Sequence, residues 1–126
     1  MIPSGVMKLA GVHHVSLNVH DAEVAGRFYT EVLGLEVLPR PDFPFKGMWL
    51  RAGAHEIHLI EVENHRVPGG EHFAFAVDDV DAVCRELGER GVRVSRPMEV
   101  PGAGRQAFLR DPSGNLLELN QPRRAS

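Results

Sequence analysis

An internal repeat constrains this chain more than any other feature. Placing His14 on His72 also places Leu17 on Phe75, Val19 on Val77 and Asp21 on Asp79. Both stretches alternate apolar and polar residues with a period of two, the pattern of a half-buried strand. Each then runs into a segment with helical spacing. Val24, Phe28 and Val32 are expected to form the buried stripe of the first helix, and Val80, Val83, Cys84 and Leu87 that of the second. Asp21 and Asp78 or Asp79 stand where a side chain can accept the free N–H groups of a helix start. Gly34 and Gly91 suit the left-handed residue that ends a helix. Extended segments follow at Leu35 to Leu38 and Val92 to Ser95, then Pro-rich turns at Pro39 to Pro44 and Pro97 to Gly104. Two strand-like runs close each half: Gly47 to Arg51 with Glu56 to Val62, and Gln106 to Arg110 with Leu116 to Asn120. Each half therefore reads β-α-β-β-β.

A half of this size has a sheet face to cover and too little surface to bury on its own. The expectation is an α+β fold in which two βαβββ modules share one core and form a cupped mixed sheet. The 126 residues would make a single domain, with module one over about 9–63, a linker over 64–70 and module two over about 71–122.

The formal net charge is -3, with Lys and Arg scattered along the chain. Nucleic acid is not an expected partner, because phosphate binding needs a concentrated basic patch. With Cys84 as the only cysteine, no disulfide can form within the chain. Cys84 reads as a buried, inert thiol. No apolar run approaches the roughly 20 residues that span a bilayer, and Met1 to Gly11 lacks the features of a signal peptide. A cytoplasmic protein without membrane contact is expected.

Strand alternation assigns side chains to faces. In the first strand Val15, Leu17 and Val19 belong under the helix, which turns His14 into the hollow on the other face. In the repeat Phe73, Phe75 and Val77 are the buried set, so His72 faces the hollow beside Ala74 and Ala76, where small side chains leave room for a ligand. Ile57 and Leu59 suit the helix side and leave His58 in the hollow; Leu117 and Leu119 do the same for Glu118. His14 and His72 occupy one pair of equivalent positions, His58 and Glu118 the other. Three imidazoles and a carboxyl group are donors for a borderline divalent cation such as Zn, Ni, Co, Mn or Fe. His13, His20, His55 and His65 fall out of phase or in loops and are read as lying outside the site.

These residues carry a family resemblance. His14-Val15-Ser16-Leu17-Asn18-Val19-His20-Asp21, followed by Phe28-Tyr29-Thr30-Glu31-Val32-Leu33-Gly34-Leu35, resembles the opening module of vicinal-oxygen-chelate proteins. These include glyoxalases, extradiol dioxygenases and bleomycin-resistance proteins. The ending Phe108 to Leu119, with its turn Asp111-Pro112-Ser113-Gly114-Asn115, resembles their closing module. The likeness runs from about Leu9 to Pro122. It implies that His14, His72 and Glu118 hold a metal, and that His58 takes a fourth position where relatives often carry Glu or Gln. It also implies a homodimer, and in many relatives one site draws on modules from both chains.

The chemistry implied is that of a glyoxalase- or epimerase-like lyase or isomerase acting on a small molecule through an enediolate held at the metal. Glu118 would serve as ligand and general base. An extradiol-type dioxygenase with a 2-His-1-carboxylate iron is the alternative; His58 tells against it by taking a position that substrate and O₂ would need. A non-catalytic drug-binding protein of the bleomycin-resistance kind is the third reading. Phe43, Phe45, Met48 and Trp49 stand where they could wall a pocket or pack in the core, and Arg51 and Arg105 could meet an anionic group or solvent.

Overall fold

The structure, a computed structural model, describes residues 7–123. Module one contains β1 (His14–Val19), α1 (Ala22–Arg27), β2 (Glu36–Leu38), β3 (Gly47–Ala52) and β4 (His55–Glu61). α1 continues directly into a π-helical turn, Phe28–Val32. Module two contains β5 (His72–Ala76), α2 (Val80–Glu89), β6 (Met98–Val100), β7 (Gly104–Arg110) and β8 (Leu116–Gln121). The halves form two four-stranded sheets, ordered β1-β4-β3-β2 and β5-β8-β7-β6. In each, the first strand runs parallel to the last, and the other pairs are antiparallel. The repeat thus holds at the level of topology, as two separate mixed sheets. No helix among the described residues is long and apolar enough to cross a membrane.

Local chemistry sets the helix boundaries. Asp21 accepts from the backbone N–H of Glu23 and Val24, and Asp79 accepts from Ala82, so Asp79 rather than Asp78 caps α2. Gly34 (φ 77°) and Gly91 (φ 81°) adopt the left-handed conformation that terminates each helix.

The first helix buries its expected stripe only in part: Phe28 and Val32 pack half-buried against the core, but Val24 does not. Val24 is 41% exposed, while Ala22, Ala25 and Tyr29 are buried with Gly26 among them. Small residues let α1 settle close to the sheet: a Cβ on Gly26 would lie 2.7 Å from Met48 Cε. A hydrophobicity pattern gives weight to large side chains and so missed this face. The second strand of module two is also displaced. Val92 to Ser95 contributes only an isolated bridge from Val94 to Leu109, and the strand forms at Met98–Val100. Pro97 and Pro101 flank it, as proline can at a sheet edge.

One core serves both halves, with Val19, Tyr29, Leu50, Ile57 and Leu59 joined by Val80, Leu87, Leu109, Leu117 and Leu119. The β7–β8 turn also binds module two to module one by polar contacts. Asp111, Ser113 and Asn115 are all buried. Asp111 accepts from the backbone N–H of Ser113 and Asn115 and, at 2.6 Å, from the Tyr29 hydroxyl. Asn115 Nδ2 donates to the Asn18 carbonyl, the His20 N–H donates to Ser113 Oγ, and His65 Nε2 donates to the Ser113 carbonyl. Burial, and the charge of Asp111 beside it, push the Tyr29 hydroxyl far above its usual range, so it remains a donor.

Candidate metal centre

Cross-strand partners project to the same face of a sheet. In the first sheet His58 is opposite Ser16 on one side and Trp49 on the other, and His14 stands two residues before Ser16. His14, His58 and Trp49 therefore share the face away from α1. In the second sheet Glu118 is opposite Ala74 and Phe108, and His72 stands two residues before Ala74. The register makes His58 and Glu118 equivalent, as the sequence spacing indicated.

The module-two pair is closely coupled. Glu118 is 7% exposed, and its Oε1 lies 2.9 Å from His72 Nε2. His72 Nδ1 lies 2.8 Å from the Gly70 carbonyl, which can only accept, so Nδ1 carries the hydrogen. The facing Nε2 and Oε1 then attract each other only with a cation between them, either a proton or a metal ion. The Gly70 carbonyl, and after it the Glu118 carboxyl, accordingly hold the His72 pKa above its usual value of 6.5. Asn120 Nδ2 donates to Glu118 Oε2 at 2.9 Å and fixes the other end of the carboxyl group.

In module one His58 is 8% exposed and lies between two rings. Its centroid is 4.0 Å from that of His14 and 4.1 Å from that of Trp49, with interplanar angles of 18° and 5°. Glu56 Oε1 lies 2.9 Å from His58 Nε2, and hydrogen bonding to that ring holds the Glu56 carboxyl below the usual carboxylate range. Sequence reasoning passed over Glu56. The signal was its position two residues before His58, on the same face. A carboxylate binding one nitrogen of a histidine orients the other, the usual arrangement behind a metal-ligating imidazole. His13 Nδ1 lies 2.9 Å from His14 Nδ1 and restrains that ring.

The four sequence candidates thus come together as two pairs, one on each sheet. Among the described residues no three His, Cys, Asp or Glu side chains converge as a cation site within the chain. The donor types suit a borderline divalent ion, and hydrogen bonds hold the side chains of each pair, but each pair offers only two candidate donors. Arg105 is engaged by Asp81 at 2.7 and 2.8 Å, and Arg51 lies 3.5 Å from Glu36.

The family model of the Glyoxalase/Bleomycin resistance protein/Dioxygenase superfamily matches residues 11–119, and the chain belongs to that family. A protein of Vibrio parahaemolyticus named as a probable lactoylglutathione lyase is 30% identical over 90% of this chain and 91% of its own length. A chloroplastic Arabidopsis thaliana protein named in the same way is 33% identical over 84% of this chain. The alignment spans only 34% of that relative's length. Mouse mitochondrial methylmalonyl-CoA epimerase is 26% identical over 94% of this chain and 76% of its own. Among solved structures, a protein assigned to the glyoxalase family from Bacillus anthracis superposes with a TM-score of 0.85 at 27% identity, covering 94% of this chain and 99% of its own. TnmS3, an antibiotic binding protein from Streptomyces sp. CB03234, gives 0.77 at 34% identity, covering 94% and 100%.

Proposed function

We propose that the chain is a divalent-metal-dependent lyase or isomerase that works as a homodimer, with His14 and His58 of one subunit facing His72 and Glu118 of the other. The observation that carries this reading is the His72–Glu118 contact, a buried carboxyl group set 2.9 Å from a ring nitrogen whose other nitrogen is already bound. The equivalent pair, His14 and His58, lies on the other sheet, and the buried turn at Asp111 to Asn115 fixes the two modules of one chain in this arrangement. A second copy related by two-fold symmetry would complete two equal sites.

His14, His58, His72 and Glu118 would hold the ion, which would supply positive charge to offset the negative charge that develops on the substrate oxygens. The chain's own groups do the rest. The Glu118 carboxylate acts as the general base, taking a proton from the carbon beside the substrate carbonyl and returning it to that carbon or its neighbour. Asn120 holds Oε2 meanwhile, so the carboxyl group turns little during the transfer. Ala74 and Ala76 leave the space above β5 open to the substrate.

Mixing two defective variants tests this reading. His14→Ala and Glu118→Ala are each expected to lose metal uptake when purified alone. Unfolded together and refolded at equal amounts, they should form about half heterodimers, each with one intact site, restoring about a quarter of the wild-type metal content. A mixture that stays at background while folding and dimerising normally would refute the two-chain site. TnmS3 supports a second reading, small-molecule binding without turnover; wild type that binds ligand but takes up no metal would favour it.

A further inference from the structure

Five rings run in one row across the open face of the first sheet. His14 stacks on His58 and His58 on Trp49; Trp49 stands 6.1 Å from Phe43 and tilted from it by 49°, and Phe43 stacks on Phe45 at 5.1 Å and 11°. The inner end of the row belongs to the candidate metal centre. The outer end is the loop between β2 and β3, where Phe43 is 37% and Phe45 43% exposed.

Exposed phenylalanines forgo hydrophobic stabilisation unless something covers them. Here they cannot fold away. Pro41 and Pro44 restrict the backbone around Phe43, whose N–H donates to the Pro41 carbonyl at 2.9 Å. Arg40 Nη2 donates to the Phe45 carbonyl at 2.8 Å, and its guanidinium lies over both rings, 5.0 and 5.1 Å from their centroids. The rings are thus fixed before anything binds, which lowers the ordering cost of binding. Two side chains offer far less than the roughly 800 Å² per partner of a stable protein interface, so the patch fits a small ligand better than a protein. The near-parallel rings of Phe43 and Phe45 favour another ring over an aliphatic group, because ring faces and edges carry complementary charge. Among the described residues the Arg40 guanidinium has no carboxylate within ion-pair distance, which suits an anionic substituent.

We propose that the substrate carries a planar aromatic group with an acidic substituent, seated against Phe43 and Phe45 beside Trp49 while its reacting oxygens reach towards His14 and His58. The proposal rests on the reading of those two histidines as part of the metal centre. Trp49 is the only tryptophan, so its fluorescence reports on this platform directly. Metal-free protein is titrated with 4-nitrocinnamate, a planar quencher, and by calorimetry with 3-cyclohexylpropanoate, similar in size but not flat. Saturable quenching is expected, with at least tenfold weaker binding of the cyclohexyl acid. A Phe43→Ala/Phe45→Ala variant should also bind 4-nitrocinnamate at least tenfold more weakly, while sedimentation shows its oligomeric state unchanged. No saturable quenching, equal binding of the two acids, or equal binding by the variant would overturn the proposal. So would dissociation of the variant, which would place the two rings between copies of the chain. Because the titration uses metal-free protein, its failure is distinct from failure of the metal reading, which shows as absence of metal uptake by wild type.

Discussion

Replacing Tyr29 by Phe removes one hydroxyl and leaves the ring that fills the core. The hydroxyl is fully buried and donates to Asp111 at 2.6 Å, a short bond to a carboxylate. Bonds to charged groups contribute about 1.5–3 kcal/mol each, and deleting one leaves the buried acceptor short of a partner. Asp111 keeps its bonds from Ser113 N–H, Asn115 N–H and Asn115 Nδ2, so the loss should fall near 2 kcal/mol rather than above it. For a domain of this size that corresponds to a Tm lower by roughly 8 °C. Urea denaturation at neutral pH should show a lower midpoint with an unchanged slope, because the surface exposed on unfolding is the same.

The alkaline limb gives an independent reading of the same contact. The Tyr29 hydroxyl ionises near 10.0 in an unfolded chain and well above that when folded. A folded pKa raised above the unfolded one means stability that is complete below pH 10 and is lost as the pH rises beyond it. Wild type should therefore lose about 1.4 kcal/mol per pH unit from this group alone above pH 10, and Tyr29→Phe should lack that component. A variant with the wild-type midpoint at neutral pH, or with the same alkaline slope, would refute the account of how the two modules are joined.

Glu56→Gln should weaken metal binding about tenfold without unfolding the chain, because it relaxes the carboxylate hold on His58; unchanged affinity by calorimetry would remove Glu56 from the site. Metal uptake should displace the proton between His72 and Glu118, so affinity is expected to rise with pH up to and past a His72 pKa held above 6.5, with proton release visible as buffer-dependent heats. Affinity flat between pH 6 and 8 would count against this. Gly104→Ala should cost at least about 2 kcal/mol, since its φ is 114° and the new Cβ would meet the Gln121 carbonyl oxygen; Gly53→Ala, also at positive φ but with nothing within 4 Å, should cost only about 1 kcal/mol. Equal urea midpoints for the two variants would show that the close approach at Gly104 is unimportant.

How much of this was legible in the sequence depended on what a single strand can encode. Period-two alternation fixed the faces of β1, β4, β5 and β8, and the register agrees: His58 and Glu118 hold equivalent positions because His14 and His72 do. Short-range chemistry was also legible, as at the caps Asp21 and Asp79 and the helix-ending Gly34 and Gly91. What could not be read depends on how elements approach one another. The buried face of α1 consists of small residues whose value lies in closeness to Met48, and closeness has no hydrophobicity signature. Asp111 read as a local turn residue, since nothing nearby in sequence announces that Tyr29, 82 residues earlier, donates to it. The same limit bears on the proposed metal centre. Alternation can say that four donors face a hollow, but not whether the hollows of two sheets open towards each other in one chain. Here a turn whose buried bonds reach Tyr29 and Asn18 ties the two modules together, and among the described residues no three such donors converge. In the proposed two-chain site, the contacts that set how the modules sit lie outside the site itself, in the Asp111 to Asn115 turn.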